Sequence, residues 1–300
     1  MLDLRVTICG LEFRNPVLPA AGPNVRDGRH LVEAAHGGAG ALVCKTVSVT
    51  AAAVPMPHMA EIRGGMLNTE LWSELPPEQW LATEYPLARA AADAAGIPLI
   101  MSLGYSAEEI AQLAPLVAPF ADAVELSTHY LGEDATPMVR AIAAAKAALN
   151  VPVFVKLSPL GREMRAAARA AQAAGADAIV ATNSLGPAFG LDIETGYPLL
   201  GGSNSYGWLS GPALKPLALR CVYDLAQTVD LPVLGVGGIN RGEDVVEYLM
   251  AGASAVQVCT AAVLRGPSVY GKIAAQLGDW LEAHGHSSPA AIRGAVLQRG

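Results

Sequence analysis

Short apolar runs alternate with Ala-rich amphipathic stretches along most of the chain. Eight runs read as parallel strands buried on both faces: Val17–Ala20, Ala41–Thr46, Pro98–Leu103, Ala123–Ser127, Val153–Leu157, Ala178–Asn183, Val233–Gly237 and Ala255–Thr260. Each is too short for a helix. Between them lie helical stretches such as Gly28–His36, Met138–Leu149, Glu163–Ala174 and Arg241–Ala251. Ser106 with Glu109, and Asn240 with Glu243, are capping-box-like helix starts. Gly96, Gly175 and Gly252 each stand where a helix turns into the next strand. Leu4–Phe13 reads as two short strands around Gly10, a hairpin closing the bottom of a barrel. Eight strands alternating with helices predict an α/β fold, a (β/α)8 TIM barrel; an open doubly wound sheet is the alternative. No linker divides the chain, so residues 1–300 read as one domain.

Two connections exceed an ordinary βα loop, Val47–Ala82 and Ser184–Ser210. Both leave the carboxyl end of a strand, which is the functional face of a barrel. They read as insertions that cover a site. Trp72 and Trp80 in the first either cover that site or pack in the core. Ser210-Gly211-Pro212 suits a helix start, with Pro212 near its first position.

Composition narrows the function. Hydrophobic residues make up 52% and charged residues 16%, so the chain can bury a large core. A net charge of −7 argues against a nucleic-acid footprint. Cys9, Cys44, Cys221 and Cys259 form no CxxC pair, which predicts no iron–sulfur or zinc site within the chain and suits a reducing, cytoplasmic setting. The N-terminus has no signal-peptide profile, and no apolar run is long enough to span a membrane.

The candidate chemistry sits at strand ends. Gly237-Gly238 lies between the seventh strand and a helix, and Cys259-Thr260 ends the eighth. Such a pair of strand ends either makes tight turns or cradles a phosphate with backbone N–H groups. Lys45 and Lys156 each close an otherwise apolar strand, pointing at the barrel mouth or snorkelling to water. Two cations beside a phosphate pocket suggest an anionic, electron-accepting ligand such as an isoalloxazine ring. His36 and His58 read as ordinary loop or surface histidines.

Six segments in order then carry a resemblance: Asn15-Pro-Val-Leu-Pro-Ala-Ala-Gly22, Lys45-Thr46, Pro152–Pro159, Thr182-Asn183-Ser184, Leu209–Pro216, and Gly235–Ile239 with Ala253–Val258. The chain resembles the dihydroorotate dehydrogenase family, flavin mononucleotide (FMN) enzymes on a (β/α)8 barrel. The resemblance implies that Ala20, Ala21, Gly22, Gly211, Gly237, Gly238, Cys259 and Thr260 hold the flavin and its phosphate. It implies that Lys45 and Lys156 contact the ring, with Thr46, Ser102, Ser127 and Thr182 also at the cofactor. It implies, too, that Lys45, Asn68, Asn183 and Ser184 face the substrate. It also implies a homodimer and leaves room for a separate electron-transfer partner. It implies no metal.

The departures cluster. Where the family has Asn-x-Ser-Cys-Pro-Asn, with the Cys or a Ser as base, this chain reads Ser127-Thr-His-Tyr-Leu-Gly132. Tyr130 stands at the base position and His129 beside it, so these two are the candidate acid/base residues, with Lys45 as the third catalytic candidate. Ser102 stands where one subclass has a flavin-contacting Asn. The substrate loop Asn68–Glu74 keeps only its first Asn clearly. Each missing Asn removes a paired donor and acceptor suited to a pyrimidine edge. The expectation is hydride transfer between flavin N5 and a C–C/C=C bond of a small substrate other than dihydroorotate. The alternatives are a genuine dihydroorotate or dihydropyrimidine dehydrogenase with an altered base, and a noncatalytic flavin-binding subunit.

Overall fold

A computed structural model describes residues 2–128, 134–158, 163–203 and 205–298. Eight short strands form its central sheet: β1 (Val17–Pro19), β2 (Leu42–Val43), β3 (Leu99–Leu103), β4 (Ala123–Ser127), β5 (Val153–Leu157), β6 (Ala178–Ala181), β7 (Val233–Val236) and β8 (Ala255–Val258). They pair in parallel in the order β1-β8-β7-β6-β5-β4-β3-β2. Every strand therefore neighbours its partner in sequence, which an open doubly wound sheet would not do. At the remaining seam the Gly40 N–H donates to the Val17 carbonyl at 2.8 Å. The chain is a (β/α)8 barrel.

The strands end earlier than their apolar runs. β2 stops at Val43, β6 at Ala181 and β8 at Val258. Beyond them the Cys44, Thr182 and Asn183 N–H groups still donate to the Ile100, Val236 and Leu157 carbonyls at 3.0, 2.9 and 3.0 Å, while Lys45, Thr46, Thr182, Asn183, Cys259 and Thr260 line the mouth. The helix after β7 is also shifted: it spans Gly242–Met250, and Asp244, not Glu243, reaches back. The Asp244 carboxylate accepts from the Asn240 and Arg241 N–H groups at 2.7 and 3.0 Å. The box at Ser106 and Glu109 forms as read. Burial pushes the Glu109 carboxyl up, but bonds from the Ser106 N–H, the Ser48 hydroxyl and the Tyr105 N–H outweigh it and hold it low. Through Ser48, at 2.7 Å, that helix start also anchors the first insertion.

The barrel interior is filled at its lower end by Leu18, Val43, Ile100, Phe154, Val180 and Leu234. The hairpin Val6–Ile8/Leu11–Phe13 adds Ile8 and Phe13 to this layer and closes the bottom. A second apolar layer lies between the strands and the surrounding helices. No helix among the described residues is long and apolar enough to cross a membrane.

The two insertions are not independent loops. They fold together into a four-stranded antiparallel sheet with the order Leu185–Ala188, Gly207–Ser210, Gly65–Asn68, Met59–Ile62. The central pairing sets Trp208 against Asn68 and Ser210 against Met66. This sheet stands over the barrel mouth.

Trp80 belongs to the core. It is fully buried, its indole N–H donates to the Ser73 hydroxyl at 2.7 Å, and its ring lies 5.0 Å from that of Tyr85. Truncating such a side chain costs the transfer of its apolar surface plus a cavity. Trp80→Ala is expected to lower unfolding free energy by about 3–5 kcal/mol, and Ser73→Ala by about 1 kcal/mol, measured by urea unfolding.

Candidate active site

The strand ends and the insertion sheet enclose a cavity of about 500 Å³. One side of it is a backbone cradle. Gly237 and Gly238 follow β7 at φ +130° and +73°, and Gly211 stands at φ +88° before the helix that starts at Pro212. A Cβ on Gly238 would come within 2.7 Å of Lys215 Cβ and 2.9 Å of the Gly211 carbonyl oxygen. Side chains are thus shut out and the backbone itself forms the wall. The Tyr248 hydroxyl donates to the Gly237 carbonyl at 2.7 Å, which holds the turn. From the β8 side, Thr260 donates its hydroxyl to Ser210 at 2.9 Å. Cys259 is a neutral thiol here, since burial pushes it up to about 11. Arg265 lines the same corner, where its guanidinium donates to the Asn240 carbonyl at 2.5 Å. Lys215 is held by Asp244 and Glu247, each at 2.7 Å.

The rest of the wall holds the lysines. Lys156 projects from β5 and is 6% exposed. Its Nζ lies 3.8 Å from Glu125 Oε1 on neighbouring β4. Glu125 is fully buried, and its other oxygen accepts from the Gln257 amide on β8 at 2.5 Å. The Glu125–Gln257 bond thus spans the barrel beneath the cavity. Lys45, just past β2, donates to the Glu70 carboxylate. The other Glu70 oxygen lies 3.2 Å from His58 Nε2.

Most of the residues picked out from sequence meet here. Ala20, Ala21 and Gly22 line the cavity, as do Lys45, Thr46, Asn68, Ser127, Lys156, Thr182, Asn183, Ser184, Gly211, Gly237, Gly238, Cys259 and Thr260. Ser102 does not reach it. It is fully buried behind Thr46, whose hydroxyl it meets at 2.9 Å. Asn68 lines the wall with its amide already engaged, donating to the Trp208 carbonyl at 3.1 Å and accepting from the Glu70 N–H at 3.3 Å. Its role includes joining the insertions. His58 is not the ordinary loop histidine that the sequence suggests. Tyr130 and His129 lie outside the described residues.

Sequence reasoning missed Glu70, Glu125, Gln257 and Arg265. Two of them carried a signal. Glu125 and Gln257 are polar residues inside otherwise apolar strands, a pattern that calls for a buried partner. Glu70 and Arg265 sit beyond any periodic segment, and only the fold reveals their neighbours.

The residues present fit FMN. A glycine-walled cradle with an arginine beside it suits a phosphate. Two lysines further along the wall suit a ring that gains negative charge on reduction.

The family model described as dihydroorotate dehydrogenase matches residues 3–281. Among similar proteins, the catalytic subunit named dihydroorotate dehydrogenase B (NAD(+)) from Methanothermobacter thermautotrophicus is 39% identical over 95% of this chain and 95% of its own length. The protein of that name from Pyrococcus abyssi is 36% identical over 98% of this chain and 99% of its own length. That from Methanocella arvoryzae is 40% identical over 84% of each.

Gly238→Ala combines a left-handed backbone with a steric conflict. It is expected to weaken FMN binding by about tenfold or more, read as flavin retained after gel filtration, with the far-UV spectrum unchanged.

Proposed function

The chain belongs to the dihydroorotate dehydrogenase family, FMN-dependent oxidoreductases acting on a CH–CH bond, and from that premise we propose that its own substrate is not dihydroorotate. One observation carries this reading. Where the family sequence places Asn side chains, this cavity presents the short hydroxyl of Ser127, while Asn68 spends its amide on the insertion sheet. A pyrimidine edge needs paired donors and acceptors. A site lacking them has no basis for selecting that edge, because selection comes from polar groups that only the right ligand satisfies.

The chain's residues divide the work. Gly237, Gly238, Gly211 and Thr260 hold the phosphate end, with Arg265 beside them. Lys156, steadied by Glu125, stands at the ring. FMN, when bound, supplies the hydride-accepting or hydride-donating centre. Lys45, Asn183 and Ser184 line the space left for substrate. The Asn183 side chain accepts from the Ser184 N–H at 2.8 Å, which fixes that corner. The proton that accompanies hydride transfer is assigned to Tyr130 or His129. A phenol near its ordinary pKa is an acid at neutral pH, which favours reduction of an activated C=C.

The relatives are named as catalytic subunits. This chain likewise works with a separate electron-transfer partner, as a cytoplasmic homodimer. The same names favour a second reading, in which dihydroorotate itself is the substrate and the base has changed.

One experiment separates the two. FMN-loaded protein is mixed anaerobically with dihydroorotate, and the flavin spectrum is followed. The flavin is expected to stay oxidised over minutes. Bleaching at about 1 s⁻¹ or faster, an ordinary enzyme rate, establishes the second reading. Under the first, a substrate with an activated C=C is expected to re-oxidise pre-reduced flavin about a hundredfold more slowly in Tyr130→Phe or in His129→Ala, whichever supplies the proton.

A further inference from the structure

Both lysines in the cavity wall face a carboxylate, but the two pairs are built differently. Lys156 and Glu125 sit on adjacent barrel strands. Glu70 comes from the first insertion and enters the cavity wall beside Asn68. It takes up the ammonium of Lys45, and its second oxygen engages His58. Lys45 is only 5% exposed, so its positive charge meets the cavity already matched. His58 is fastened in turn by backbone, since its carbonyl accepts from the Thr69 N–H at 2.8 Å. The position of Glu70 is therefore set by the insertion sheet from both sides.

We infer that Glu70 is a specificity-determining residue that sets the charge of the substrate this site admits. A substrate carrying a carboxylate meets a carboxylate where it would seek the Lys45 cation. To bind, it must displace Glu70 from Lys45 or leave two like charges close together in a largely desolvated pocket. An uncharged substrate meets no such conflict. One bearing an amide, lactam or ammonium donor gains an acceptor in Glu70. The substrate class is thus a small neutral or donor-bearing molecule with an activated C–C bond, not an acid. Rejecting the wrong ligand by an opposed charge is a common route to specificity.

This inference rests on the reading that the substrate is not dihydroorotate, and its test keeps the two apart. The probes are orotate and uracil-6-carboxamide, which share one ring and differ in charge. Their binding to the FMN-loaded protein is read from the shift they cause in the flavin spectrum. Wild type is expected to bind the carboxamide about tenfold or more tightly than orotate, and Glu70→Gln to erase that ratio by tightening orotate about tenfold. Equal or tighter binding of orotate by wild type overturns the inference. So does a ratio unchanged in Glu70→Gln, or no binding of either probe to either protein. If Glu70→Gln does not retain FMN, Glu70→Ser carries the same comparison. Turnover of dihydroorotate by wild type sinks the substrate reading. An unchanged ratio without such turnover sinks the role of Glu70 alone.

Discussion

A charge cannot be left alone inside a barrel, and that constraint shapes the mouth of this one. Moving an ammonium out of water costs several kcal/mol unless an opposite charge and hydrogen bonds compensate. Lys45 and Lys156 are both buried, and both are compensated. The Lys156 solution belongs to the barrel. Register sets Ser127 opposite Lys156, which places Glu125 two positions back on the same strand, with Gln257 reaching it from across the interior. The Lys45 solution belongs to the cover. Without the first insertion folded in place, Lys45 has no Glu70.

The insertion sheet therefore does more than roof the cavity. Asn68 ties the two insertions by donating to the Trp208 carbonyl, and the same side chain accepts from the Glu70 N–H. One residue thus couples the pairing of distant segments to the placement of a charge. On the far side of the cavity the design is the opposite. Gly211, Gly237 and Gly238 form a wall of backbone, fixed by steric exclusion and by the Tyr248 hydroxyl. The cradle depends on close packing, which changes little with the ligand. On the lysine side, Lys156 is tied into the barrel through Glu125 and Gln257, whereas the Lys45 partner comes from the cover.

That division explains what could be read before the structure. The strands were legible because a doubly buried strand is a continuous apolar run, and eight such runs admit few arrangements. Their ends were not, because Cys44, Thr182 and Cys259 are as small or apolar as the ladder residues before them. The capping box at Ser106 was legible because one acid stands at the right offset. At Asn240 two acids, Glu243 and Asp244, stood one position apart, and the neighbouring one reaches back. The insertion sheet left no trace in the pattern. Its strands run to four residues, Met59–Ile62 is only half-buried, and the pairing partners Asn68 and Trp208 are far apart in sequence. Ser102 shares the interior face of its strand with Ile100, and Thr46, which lines the cavity, meets its hydroxyl.

The candidate site was legible where sterics dictate residue type and opaque where they do not. Only glycine tolerates the backbone at Gly211 and Gly238, so those letters carry the cradle by themselves. A glutamate in an irregular loop is compatible with solvent, with a cap or with an ion pair, and nothing local decides among them. The segments that mark family membership are mostly those of the cradle and the lysine strands. The segments that depart from it, Asn68–Glu74 and Ser127–Gly132, contribute Asn68, Glu70, Leu71 and Ser127 to the cavity wall among the described residues. Family membership therefore constrains the cofactor of this chain more tightly than it constrains the molecule that cofactor meets. A barrel can keep its phosphate cradle through close packing while loop side chains set what lies opposite it, and in this barrel the Lys45–Glu70 pair joins the two.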